Sequence, residues 1–172
     1  MPVILPVKDK HPQYDDSCFI AENATIVGDV TMGRDCSVWF NAVIRGDVNA
    51  ITIGDRTNIQ DAAVIHCTYE QAATSIGNEV SIGHRAIVHG CTVKDNVLIG
   101  MGAIVMDKAV VNKHCIIAAG AVVLENTICE AGHIYAGIPA KKVKKLNEQQ
   151  INNMKKTAGN YVMYSSWFSK EQ

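Results

Sequence analysis

Three histidines stand close together near the middle of the chain. His66, His84 and His89 are half of the six it carries. Imidazole is the commonest neutral side-chain ligand for zinc and similar ions. Three imidazoles plus an open, water-filled position is the general plan of a catalytic metal centre. A single outward histidine more often just sits in solvent, so the case rests on spacing. His66 and His84 are 18 residues apart, and His84 and His89 are five apart. His11, His114 and His133 have no such partners and read as surface residues.

The elements that must carry these histidines repeat every six residues. Ile20, Ile26, Met32, Val38 and Ile44 open the series. After a three-residue insertion it resumes at Ile53, Ile59 and Ile65, and after a loop at Ile76, Ile82 and Val88. One residue is then lost, and Val93, Ile99, Val105, Val111, Ile117 and Val123 complete 17 positions, all Ile, Val or Met. Small residues such as Ala42, Ala63, Ala86 and Ala103 fall four later. A period of six fits neither a helix nor simple alternation. It fits a β-solenoid, in which each repeat is one short strand and a turn, with the aliphatic residue inward.

This pattern predicts a solenoid over about 18–140, with 1–17 an irregular, proline-broken lead-in. Cys36 and Cys115 occupy small inward positions and read as core. His66 follows Ile65 and His89 follows Val88, so both should point outward. Eighteen residues is three repeats, which predicts His66 and His84 on one face of adjacent coils and His89 on the next face. Cys67 should face away from its neighbour His66.

Composition agrees with this plan. Hydrophobic residues are 48% of the chain but aromatics only 6%, so the core must be aliphatic. Net charge is -1, which gives no reason to expect nucleic acid. Residues 141–172 carry 7 basic and 2 acidic side chains, a net of +5, against -6 for the rest. The cluster Lys141, Lys142, Lys144 and Lys145 reads as a solvated face. No apolar run approaches a membrane span and no signal peptide is evident, which predicts a cytoplasmic chain with reduced cysteines. Asn147 and Gln150 form a capping-box pattern, and Ile151, Met154, Ala158, Tyr161 and Val162 fall at helical spacing. The expected division is a solenoid domain at 1–146 and a helix packed on it within 147–172, with residues 137–146 as the turn between them.

The repeat resembles that of the hexapeptide-repeat proteins, whose fold is a left-handed parallel β-helix. Three repeats per coil then imply between five and six coils. Within that superfamily, His-x17-His-x4-His, Arg45 and Asp47 in IRGDV, and Asn58, Gln60 and Asp61 in TNIQD resemble the γ-class carbonic anhydrases. The resemblance implies reversible hydration of CO2 to bicarbonate by a metal-bound hydroxide. It implies a homotrimer with one divalent metal per site between subunits, Zn2+ first, with Fe2+ or Co2+ as alternatives. His66 and His89 would come from one chain and His84 from its neighbour. Arg45 and Asp47 would hold the interface, and Gln60, supported by Asn58, would orient water or bicarbonate. Asp61 is a candidate partner for a liganding ring. Glu70, Tyr161 and Tyr164 are candidate proton shuttles.

The chain departs from the best-studied form of that family. Val48 stands where an acidic residue serves in catalysis, and the loop over 67–75 is short, with Glu70 its one acid. Two other readings remain open: a CoA-dependent acyltransferase or thioesterase on the same fold, and a metal-binding scaffold of weak or no activity.

Overall fold

Each member of the six-residue series pairs with its counterpart one coil away, so the aliphatic residues form three inward columns. Along the first wall Ile26, Ile44, Ile65, Val88, Val105 and Val123 stack in parallel register. Met32, Ile53, Ile76, Val93, Val111 and Cys129 form the second column. Ile20, Val38, Ile59, Ile82, Ile99, Ile117 and Tyr135 form the third. From Ile26 to Val123 every member of the series is at most 4% exposed. This computed structural model describes residues 1–168: a parallel β-solenoid of about seven turns and one C-terminal helix.

The corners explain the small residues. Asn41, Ala62, Arg85, Gly102 and Gly120 turn one corner with φ between 58° and 67°. The residue after each, Ala42, Ala63, Ala86, Ala103 or Ala121, is at most 1% exposed. A larger side chain at those positions would hold the corner open. All six cysteines are free. Burial pushes the Cys91 and Cys129 thiols up to about 12.

The ends of the solenoid correct the sequence reading. The lead-in is itself a coil: Val3–Leu5 pairs with residues 25–27, and Gln13–Tyr14 with residues 31–32. Pro2, Pro6 and Pro12 fall just outside these two strands, so none removes a donor from the ladder. At the other end Cys129 and Tyr135 continue the inward columns without being Ile, Val or Met. The solenoid therefore has more turns than the five to six expected. Residues 137–146 are more than a turn. Lys141–Lys145 pairs antiparallel with His133–Ala136 and closes the sheet of the third wall with an edge rich in lysine, which discourages further strand pairing.

The outward residues distinguish the three walls. Thr31, Thr52, Ser75 and Thr92 make the first part of the second wall polar, and Val110 and Ile128 continue that outward column. Ser37, Asn58 and Ser81 on the third wall are small and buried. The helix Glu148–Ser166 lies on that wall, against the strands Ser37–Val38 and Ser81–Ile82. Asn147 and Gln150 form the expected capping box, and Met154 and Ala158 are its buried residues. Tyr161 and Phe168 join Phe19, Trp39 and Phe40 in an aromatic cluster. The first wall is different again. Val43, Val64, Ile87, Ile104 and Val122 form an outward aliphatic column in register, partly exposed along its length. Among the described residues, no helix is long and apolar enough to cross a membrane.

Candidate metal centre

The first wall ends in two strands, Val64–His66 and Ile87–His89, paired so that His66 lies beside His89. Their rings converge: His66 Nδ1 is 3.0 Å from His89 Nε2. These two share a face of adjacent coils, where the spacing argument had put His66 and His84. The reason is the loop between Ile65 and Ile76. It lengthens the chain without adding a repeat, so 18 residues from His66 reach only two repeats onward. Both His66 and His89 sit one residue after an inward member three repeats apart.

Each ring also has a carboxylate on its far side. His66 Nε2 lies 3.0 Å from Asp47 Oδ1, and Arg45 donates to the same carboxylate. Burial opposes ionisation of Asp47, but His66 and Arg45 outweigh it and hold the carboxyl below its usual range. His89 Nδ1 lies 2.5 Å from Asp107 Oδ1, and Thr68 Oγ1 donates to the other oxygen of Asp107. Burial again opposes ionisation, and Thr68 and His89 again prevail, so Asp107 is also depressed. An ionised aspartate at each outer nitrogen requires an N–H there. When both rings are neutral, the two facing nitrogens, His66 Nδ1 and His89 Nε2, are both lone pairs. Two lone pairs 3.0 Å apart repel unless a cation lies between or beside them. The separation is near the about 3.3 Å expected between ligand nitrogens of tetrahedral zinc. These residues therefore fit a divalent metal as donors.

His84 is elsewhere. It occupies the corner after Ser81–Ile82, between the third wall and the first, with Nδ1 2.8 Å from Asp61 Oδ2. Asp61 and His84 stack because Ile59 and Ile82 are in register. Gln60 lies beside them at 6% exposure, its Nε2 donating to Asn58 Oδ1 at 3.0 Å. Asn58 in turn donates to Ser81 Oγ at 2.9 Å. Tyr161 approaches from the helix, where burial, and then the nearby Asp61 charge, push its phenol up. The sequence-predicted residues thus fall into two clusters at the two ends of the first wall. Arg45, Asp47, His66 and His89 form one, and Asn58, Gln60, Asp61, His84 and Tyr161 form the other. Among the described residues of one chain, no three His, Cys, Asp or Glu side chains gather as a metal site.

Cys67 is buried in the core, as its position in the strand predicted. Glu70 is exposed on the short loop, and Val48 packs against the edge of the core. His114 is not simply at the surface: it is half-buried, its Nδ1 3.1 Å from Asn96 Oδ1. Asp107 and Thr68 escaped the sequence reading. Counting the coil would have come within one residue of Asp107: Val88 pairs with Val105, so His89 falls opposite Met106 and Asp107 follows at the turn.

Comparison with known proteins gives the same family. Residues 90–125 match the model described as bacterial transferase hexapeptide (six repeats). Gamma carbonic anhydrase 2, mitochondrial, of Arabidopsis thaliana is 41% identical over 164 residues, which cover 92% of this chain. The chain spans 59% of that relative's length. Carbonic anhydrase of Geobacillus kaustophilus is 39% identical over 170 residues, 99% of this chain and 93% of its own. The crystal structure of a hexapeptide transferase family protein from Anaplasma phagocytophilum shares 41% identity at a TM-score of 0.93, covering 96% of this chain and 98% of its own. The chain belongs to the carbonic anhydrase-like family of hexapeptide-repeat proteins.

Proposed function

We propose that this chain is a γ-class carbonic anhydrase-type lyase that hydrates CO2 reversibly, acting as a homotrimer with a metal held between subunits. One observation carries the reading: each of His66, His84 and His89 has its own aspartate within hydrogen-bond reach, at 2.5 to 3.0 Å. Liganding histidines characteristically donate their outer N–H to such a partner, whereas solvated ones need none. The aliphatic column of the first wall lies between the two clusters and supports a second copy as its cover. A closed ring of three would then bring the His84 cluster of one chain to the His66–His89 pair of the next.

His66 and His89 of one chain and His84 of its neighbour would hold the ion, with Zn2+ expected and Fe2+ or Co2+ chemically acceptable. A divalent ion bound there lowers the pKa of its water to about 7 and supplies the nucleophile for CO2 at neutral pH. Asn58 fixes which way round the Gln60 amide sits, so that Gln60 can orient CO2 or bicarbonate by hydrogen bonding. The Arg45–Asp47 pair steadies His66 at the subunit edge. Tyr161, its phenol kept protonated beside Asp61, and exposed Glu70 are the candidates for proton export. We assign the chain to a reducing, cytoplasmic compartment on its free thiols.

CoA-dependent acyl transfer is the second reading. The hexapeptide transferase match favours it, and the exposed Lys141–Lys145 edge offers cations for a phosphate. It leaves three histidine–aspartate pairs and Gln60 without a role. The test is elemental analysis and stopped-flow CO2 hydration on one preparation, purified without chelator or a nickel column. We expect about one divalent ion per chain and metal-dependent hydration, both lost in His66→Ala, His84→Ala and His89→Ala and kept in His133→Ala. Full metal content in His84→Ala would refute the assignment.

A further inference from the structure

We propose that Asp107, braced by Thr68, is a positioning residue that fixes the tautomer of His89 and so sets the affinity of the metal centre. This rests on the metal reading above. His89 has two ring nitrogens, and only Nε2 faces His66. A free neutral imidazole exchanges its proton between the two, so part of the time Nε2 carries a proton and cannot bind a cation. Asp107 Oδ1, 2.5 Å from Nδ1, holds that proton on the outer nitrogen.

The carboxylate is itself held from two sides. Thr68 donates its hydroxyl to the second oxygen of Asp107. Thr68 opens the short loop and is fixed there by reciprocal backbone bonds with Ala72, at 3.0 and 3.2 Å. The Asn49 side chain also donates to the Thr68 carbonyl, at 3.3 Å. On the other side is Gly90, with φ +52°; a Cβ there would lie 2.6 Å from Asp107 Oδ1. Glycine at 90 is what lets the carboxylate reach the ring. The short loop in turn supplies the hydroxyl that aims Asp107 at His89.

The experiment uses the whole protein, stripped of metal and reloaded with Zn2+, with affinity measured by competition against a chromophoric chelator. Asp107→Ala should bind Zn2+ about 10–100-fold more weakly, the range usual for losing an outer partner of a liganding histidine. Thr68→Val should weaken binding in the same direction by less, and Thr68→Ser should restore it. Oligomer mass should stay that of the parent. The second readout is the tautomer itself, from long-range 15N–1H spectra of the metal-free protein. His89 should be Nδ1-protonated in the parent and a mixture of forms in Asp107→Ala, with Thr68→Val intermediate. Should Asp107→Ala not fold, the Thr68 pair decides by both readouts. Parental Zn2+ affinity and an unchanged His89 tautomer in Asp107→Ala, or in Thr68→Val, would overturn this inference while His89→Ala still lost metal. Metal retained by His66→Ala and His84→Ala would overturn the metal reading instead.

Discussion

Replacing Ile87 with aspartate should turn the assembly into folded monomers. Ile87 stands in the middle of the outward column, between Val64 and Ile104, and is 36% exposed in the single chain. It stands outside the inward column, so the substitution leaves that column intact. Burying a whole isoleucine side chain stabilises by about 1.5–3 kcal/mol, so burying the remaining third gives about 0.5–1 kcal/mol per chain. An aspartate there would also be desolvated without a partner, a penalty of several kcal/mol for a buried ion. Taking about 3 kcal/mol per chain as a floor, the three contacts of a ring lose about 9 kcal/mol, roughly a millionfold in the association constant. Sedimentation equilibrium at micromolar concentration reads this directly. Parent protein should give the trimer mass, and Ile87→Asp the monomer mass with an unchanged far-UV spectrum. Thr52→Asp, in the polar part of the second wall, should remain trimeric. An Ile87→Asp trimer, or a monomeric parent, would refute the reasoning.

Other expectations follow from the same geometry. Ile99 is fully buried between Ile82 and Ile117. Removing three of its carbons by Ile99→Ala should cost about 3–4 kcal/mol in denaturant unfolding, transfer plus cavity, and Ile99→Asp should prevent folding. Parental stability of either would show the register to be wrong. Gly159 lies exposed within the helix with nothing within 4 Å of an added Cβ, so Gly159→Ala should stabilise by about 0.5–1 kcal/mol. A loss of stability would mean that this face of the helix is covered. Asp47 has a depressed pKa in the fold, so its contribution is fully present above about 3.9, the unfolded value, and is lost as pH falls through the folded one. Metal-free parent should therefore lose more stability between pH 6 and pH 3 than Asp47→Asn does, and equal losses would remove Asp47 from the account.

The interior was legible residue by residue, because a dry column admits only Ile, Val or Met and repeats without exception from Ile26 to Val123. Its ends were not. Val3–Leu5 has no coil beneath it to demand a strict pattern, and Cys129 and Tyr135 fill a tapering end with other shapes. The pairing of the histidines was not legible from residue counts. Counting residues from His66 to His84 crosses an inserted loop. Counting inward members, Ile65, Ile76, Ile82 and Val88, places His66 and His89 in register instead. The aspartates were the least legible, since Asp107 meets His89 only through stacking, and its brace Thr68 sits in a loop that obeys no period. The apolar outer column was visible as outward Val43, Val64, Ile87, Ile104 and Val122 only once the walls were known.

On the proposed function, one metal site takes His66 and His89 from one chain and His84 from the next. Mixing tests it most directly. His66→Ala and His84→Ala should each be metal-free alone, since each spoils every site of its own trimer. When the two are unfolded, mixed in equal amounts and refolded with Zn2+, a site is whole wherever a His84→Ala chain meets a His66→Ala neighbour in the right order. Random assembly gives about a quarter of all sites. Recovery of about a quarter of parental zinc is the predicted result. No recovery in demonstrably mixed trimers, while the parent refolded in the same way regains its zinc, would contradict a site shared between chains.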